Sequence, residues 1–285
     1  MKKFAWLTDL HLDFLDTDGT GNSIVSELAI PLSNLDVDGF LFTGDISLGG
    51  SLVRHLKQLE RVLSPRQIYF VCGNHDFYNS SFDKVRNELK TAFSRSKTVK
   101  YAVQRDVISL TNKTALIGHD GWYDAYHGEP FRSPYIMSDW VKIHDFFNMS
   151  GIRSDGMYGS VPEMGPIISL SRKLSYDAAE HIARNADEAA RTHETVIVLT
   201  HIPPFPALNM KEGKSSNIFS MPWYTSKLMG DVLLDVANMH QGVRFEVFCG
   251  HTHEKNEIQI TDNLRCHVGS SEYGKPQISG TIQVL

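Results

Sequence analysis

The chain has 285 residues, 41% of them apolar and 21% charged, with a formal net charge of −5. That composition suits a globular protein with a substantial core and excludes the disordered and membrane classes, since no stretch nears the roughly 18 apolar residues of a membrane span. The acidic balance gives no long-range attraction for nucleic acid or an anionic membrane, so any affinity for phosphate has to be local.

Met1-Lys2-Lys3 begins like a signal peptide, but the apolar stretch after it ends at Asp9 and is too short for an h-region. Residues 4–8 instead predict a strand, as do residues 39–43. Leu52, Leu56, Leu59, Val62 and Leu63 recur at spacings that predict a helix. A strand at 68–72 follows, then a helix carrying Phe82, Val85, Leu89, Ala92 and Phe93. Strands at 107–110 and 114–117 read as a hairpin turning near Asn112-Lys113. Helices are expected over 166–191 and 226–240, with strands at 195–200 and 245–249. Strands at 257–260 and 264–268 form a second hairpin through Asp262-Asn263, and a last strand covers 280–284. Strands alternating with helices, then hairpins, predict a mixed-sheet α/β architecture with helices outside. Two segments take no element: 119–163, rich in Gly, Pro, Tyr and Trp, and 202–223, rich in Pro and Ser. Connections that long are commonly functional, and both follow strands aimed at the chemistry below, so a lid or substrate rim is expected there.

Three cysteines, an odd count, do not make a disulfide framework and point to a reducing compartment, the cytoplasm. Cys72 and Cys249 end apolar runs and read as small buried residues.

Five polar clusters sit at or just past the C-terminal ends of predicted strands: Asp9-Leu10-His11, Gly44-Asp45, Gly73-Asn74-His75-Asp76, Thr200-His201 and Gly250-His251-Thr252-His253. In open α/β sheets the ligand crevice lies beyond those strand ends, so the five segments can converge. Pairs such as Asp9/His11 and His251/His253 project two donors to one side of extended backbone. Imidazole nitrogen with carboxylate or amide oxygen suits Mn, Fe, Zn, Co or Ni, and the lack of thiolate argues against a structural zinc knot. Seven candidate ligands, Asp9, His11, Asp45, Asn74, His201, His251 and His253, exceed the needs of one tetrahedral ion. Two ions sharing a bridging carboxylate, at the roughly 3.5–4 Å typical of hydrolytic pairs, would use them all, with Asp45 as the bridge. Glycines 44, 73 and 250 let the backbone turn away from each strand. His55, His144, His181 and His240 lie outside any motif and read as surface or hydrogen-bonded core residues.

The ordered set from Asp9 to His253 resembles the calcineurin-like metallophosphoesterase superfamily over nearly the whole chain. The resemblance implies a single domain over residues 1–285, built as two packed mixed β-sheets flanked by helices in four layers, with the metal pair at one end. It also implies that Asp9, His11 and His253 bind one metal, Asn74, His201 and His251 the other, and Asp45 both, leaving His75 to face substrate. One departure is Gly44-Asp45-Ile46-Ser47-Leu48, which lacks the second acidic residue that orients the catalytic histidine in several branches, so the partner of His75 is not assigned. The run from Leu116 to Asp124, with Trp122, looks like small bacterial members carrying a Trp-containing loop.

These readings imply hydrolysis of phosphate mono- or diesters of small molecules, by a hydroxide bridging two divalent metals, with His75 protonating the leaving oxygen. Trp122, Tyr123 and Tyr224 are candidate stacking contacts for substrate. The alternatives are a nuclease, disfavoured by the acidic balance, and a binding or scaffold protein with a non-catalytic metal site, disfavoured by the full donor set. The oligomeric state has no signal in the sequence.

Overall fold

The computed structural model describes residues 1–151, 162–209 and 217–285. Its central strands are buried on both faces, and the alternation of side chains sorts them into separate apolar layers. In β1 (Lys2–Leu7), Phe4 and Trp6 face one layer while Ala5 and Leu7 face another. β2 (Gly39–Thr43) and β3 (Gln67–Val71) repeat the division: Leu41, Tyr69 and Val71 join Phe4 and Trp6, and Phe40, Phe42, Ile68 and Phe70 join Ala5 and Leu7. Together with β4 (Val99–Tyr101), these strands run parallel in the order β1–β2–β3–β4.

The second sheet starts with β5 (Ile108–Ser109), antiparallel to β6 (Thr114–Gly118), which is followed by the parallel neighbours β7 (Thr195–Leu199) and β8 (Arg244–Cys249). β9 (Asn256–Thr261) and β10 (Leu264–Val268) complete it as a hairpin, with β10 parallel to β8. The chain then returns to the first sheet, where β11 (Gly280–Val284) pairs antiparallel with β1.

Leu116, Ile197, Leu199 and Phe248 from the second sheet meet Phe4, Trp6 and Leu41 from the first, so the inner layer lies between the sheets. Helices cover the outer faces. α1 (Leu52–Leu63) and α2 (Phe82–Phe93) supply Leu56, Leu59, Val85 and Leu89 to the first sheet's outer layer. α3 (Met164–Ala190) and α4 (Lys227–Met239) supply Ile182, Ala186, Leu233 and Val236 to that of the second. Ser81 and Ser226 cap α2 and α4 through Lys84 N and Met229 N, at 3.4 and 3.3 Å. The result is the expected architecture of two mixed sheets with helices outside.

Neither β4 nor the helical run at residues 22–33 was anticipated. β4 has three residues, Val-Lys-Tyr, too few for a period to register. Residues 22–33 form a helical run broken by a π-turn at Val25–Ala29, just before Pro31; the wider turn accommodates a ring that would otherwise press on the preceding turn's carbonyl. In the segments without predicted structure, Asp139–Lys142, His144–Met149 and Met221–Tyr224 are short helices. The expectation of a lid or rim at residues 152–161 and 210–216 falls outside the described residues. Cys72, Cys249 and Cys266 are free and buried, and among the described residues no helix is long and apolar enough to cross a membrane.

Candidate metal centre

The five clusters meet where β1, β2 and β3 of one sheet and β7 and β8 of the other end side by side. Short backbone bonds lace these ends together: Asp9 N to Gly44 O at 3.0 Å, His11 N to Asp45 O at 2.9 Å and Gly250 N to His201 O at 3.0 Å. The packing leaves no space for side chains at the linking glycines. A Cβ on Gly73 would lie 2.2 Å from Asp45 Oδ1, and one on Gly250 would lie 2.2 Å from Asp9 Oδ2. Gly44 alone of the three also needs positive φ, at 92°.

Asp9, His11, Asp45, His251 and His253 take φ of 49, 43, 50, 71 and 60°, making five of the seven non-glycine residues with positive φ among the described residues. Such backbone costs about 1–2 kcal/mol per residue. Its concentration at one spot marks a place where side-chain aim outweighs local comfort.

Asp9, His11, Asp45 and His253 offer one donor atom each within 4.8 Å of one another. Nε2 of His11 and Nε2 of His253 face each other at 3.2 Å, and His253 Nε2 is 3.3 Å from Asp9 Oδ1. A second group adjoins the first. Asn74 Oδ1 lies 3.1 Å from His201 Nε2 and 3.1 Å from His251 Nδ1. The ring orientations of this pair are fixed from outside, since His201 Nδ1 donates to Thr43 O at 2.8 Å and His251 Nε2 donates to Trp223 O at 3.2 Å. Each ring therefore turns its other nitrogen toward the group. Asp45 joins the two: its Oδ1 is 3.4 Å from His201 Nε2 and its Oδ2 is 3.9 Å from His11 Nε2.

The electrostatics fit a cation-binding cluster. Burial disfavours charge on Asp45, yet His201 and His75 outweigh it and hold the carboxyl well below its usual range. Burial lowers His11 to about 4 and His251 to about 3, so both present lone pairs at neutral pH, as metal ligation requires. His201 rises to about 10 because Asp45 overcomes its burial, so the cluster draws positive charge into itself. Nitrogen and oxygen donors of this kind suit a borderline divalent ion.

His75 stands beside the cluster. Its ring stacks on Tyr78 with centroids 4.3 Å apart and 27° between planes, and its Nε2 is 3.9 Å from Asp45 Oδ2. Asp76, in the same motif, is buried and accepts from the backbone N–H groups of Ile46, Ser47 and Gly73 at 3.2, 2.8 and 2.8 Å. It ties the β2 loop carrying Asp45 to the β3 loop carrying Asn74.

The substrate contacts expected of Trp122 and Tyr123 are corrected by the structure. Their side chains are 2% and 0% exposed. Trp122 packs on Phe82 and Phe146, and Tyr123 on Trp223, because flat apolar rings of this size gain more from the core than from water. Tyr224 remains beside the site, its ring 4.9 Å from that of His251.

Four residues near the centre went unnoticed in the sequence. Tyr78, four residues after Asn74, and Asp139 both bond the Asn74 amide. Phe14, three residues after His11, and Tyr273 form an exposed aromatic pair beside it, with Tyr273 4.4 Å from the His11 ring. The closeness of Tyr78 and Phe14 to the motifs was a usable signal; Asp139 and Tyr273 had none.

The profile of the calcineurin-like phosphoesterase family matches residues 2–255. No curated protein matches the sequence. Among solved structures, a dimetal phosphatase from Danio rerio is similar at 16% identity, covering 94% of this chain and 87% of that one with a TM-score of 0.55. GAP50, described as the anchor in the inner membrane complex of Plasmodium, is similar at 14% identity, 98% and 78% coverage and a TM-score of 0.48. TT1561 of Thermus thermophilus is similar at 11% identity, 94% and 89% coverage and a TM-score of 0.45. At 16% identity the likeness to the Danio rerio phosphatase is one of fold.

Proposed function

Because the chain belongs to the calcineurin-like phosphoesterase family, we propose that it hydrolyses phosphate mono- or diesters of small molecules using two divalent ions. Asp9, His11 and His253 would hold one, Asn74, His201 and His251 the other, and Asp45 both. The observation that carries this reading is the position of Asp45, with one carboxylate oxygen toward His201 at 3.4 Å and the other toward His11 at 3.9 Å. When bound, such ions supply Lewis acidity toward phosphoryl oxygens and a water acidic enough to attack at neutral pH.

The chain's own residues do the rest. The two aspartates balance the ions' charge, and the imidazoles fix their places. His75 sits next to a ligand residue, partly exposed and braced by Tyr78, so its imidazole is free to hand a proton to the departing oxygen. Tyr224, beside His251, is a candidate substrate contact. The net charge of −5 favours small phosphorylated substrates over nucleic acid.

The test is metal analysis followed by Mn²⁺-supplemented assays on mono- and bis-nitrophenyl phosphate. Bound metal without turnover would favour a binding role. His75→Ala should slow alkyl esters by about 10²–10⁴-fold and spare nitrophenyl esters, whose leaving groups need no proton. Equal losses on both would remove the proton-donor role.

A further inference from the structure

Asp139 comes from the middle of a segment far in sequence from every motif, yet it is fully buried against the centre. Its Oδ1 accepts from Asn74 Nδ2 at 2.8 Å and from the Tyr78 hydroxyl at 2.7 Å. The Tyr78 oxygen in turn accepts from Asn74 Nδ2 at 3.1 Å. A carboxylate offers acceptors only, whereas a hydroxyl has one proton to give. With that proton engaged by Asp139, Tyr78 can present only a lone pair to Asn74. Both neighbours of the amide on this side are then acceptors, and only its NH₂ group fits between them. The amide oxygen is thereby turned the other way, to its position 3.1 Å from both His201 Nε2 and His251 Nδ1. Tyr78 also carries the ring on which His75 stacks.

We infer that Asp139 is a positioning residue for one half of the centre: through Tyr78 and directly, it sets which atom of the Asn74 amide faces the metal-binding side. The inference rests on the two-metal reading above. Without Asp139, the Tyr78 hydroxyl could donate to the amide oxygen as readily as accept from its nitrogen, and the amide orientation would lose its determinant.

The experiment is calorimetric titration of Mn²⁺ into metal-free protein, for the wild type, Asp139→Leu and Asp139→Asn, with thermal melts of each metal-free protein. Leucine fills similar space without an acceptor; asparagine keeps one carbonyl oxygen. The wild type should show two binding steps. Asp139→Leu should weaken one of them by about 10–100-fold, the usual effect of removing an outer partner, and leave the other unchanged. Asp139→Asn should restore most of the loss. If Asp139→Leu does not fold, Tyr78→Phe keeps the ring and its stack but loses the hydroxyl, and should weaken the same single step. Unchanged binding, or equal weakening of both steps, would overturn the positioning role while leaving the metal reading intact. A wild type that takes up no Mn²⁺ would sink both.

Discussion

On the Asp9–His11–His253 side of the centre the donors are aimed by backbone, whereas on the Asn74–His201–His251 side they are aimed by a second layer of groups. All three residues of the first set have positive φ. Buried Nδ1 of His11 has no hydrogen-bond partner among the described residues, and beside that ring stand Phe14 and Tyr273, 51% and 46% exposed. In the second set only His251 has positive φ, at 71°, Asn74 has helical φ, at −66°, and each member has its own outer partner: Asp139 for Asn74, Thr43 O for His201 and Trp223 O for His251. Two of those partners belong to the long segments after β6 and β7, which meet in a buried cluster of Tyr123, Trp140 and Trp223. One half therefore depends on strand ends and the loop after β10, whose Ser271 bonds the backbone of both His253 and Asp9, and the other on the packing of segments that the strands do not control. Substitutions in those segments should act on a single half.

The largest test of that asymmetry is Trp140→Ala. The ring is fully buried, donates from Nε1 to the Tyr123 hydroxyl at 3.1 Å and meets Trp223 edge-on at 4.9 Å. Its loss should cost about 3–5 kcal/mol in urea unfolding. In the fraction still folded, Mn²⁺ titration should show one weakened step beside one of normal affinity. Parallel weakening of both would mean that the halves are mechanically one unit.

Acid should strike the two halves alike. In the metal-free protein burial lowers His11, on one side, to about 4 and His251, on the other, to about 3, against 6.5 for an ordinary histidine. Below pH 6.5 the unfolded chain therefore binds protons that the folded chain refuses, and stability falls as pH drops through this window. At about pH 5 each group should have cost about 2 kcal/mol. His201, raised to about 10, is charged throughout this range, and its contribution is fully present. Thermal melts between about pH 7 and pH 5 read the slope. His11→Asn and His251→Asn should each flatten it; if only one does, the electrostatics as well as the mechanics divide the centre.

The donors themselves were legible because each lies in a short motif at a strand end, where apolar alternation announces the strand and the polar residue after it breaks the pattern. The second layer was not. Asp139 reaches Asn74 through the path of a segment without periodicity, and the partner of His251 is a backbone carbonyl, which every residue has. Trp122 and Tyr123 misled for a related reason: an aromatic beside a motif reads as a contact for ligand, but the segment folds inward and the rings enter the core. The Asp45 loop shows a similar limit. Its lack of a second carboxylate was plain, but the stack of His75 on Tyr78 emerges only from the three-dimensional arrangement.

Tyr273→Ala should have the smallest effect and is the cleanest probe of the exposed side. Its ring lies 4.4 Å from that of His11, 4.9 Å from Phe14 and 5.0 Å from His253, so it touches two of the three donors there. If those donors were held by side-chain packing, removing the ring would free both imidazoles and weaken one Mn²⁺ step at least tenfold, or about 1.4 kcal/mol. Their backbone bonds argue otherwise. His11 N is tied to Asp45 O at 2.9 Å, and the loop after β10 is tied to His253 O through Ser271 N at 3.2 Å, both independent of the Tyr273 ring. The expected result is a stability loss of about 1 kcal/mol, the worth of an aromatic contact. Mn²⁺ affinity should stay within about threefold of wild type, an effect under 1 kcal/mol. A tenfold loss would show that the exposed half also needs a second layer, with Tyr273 as part of it.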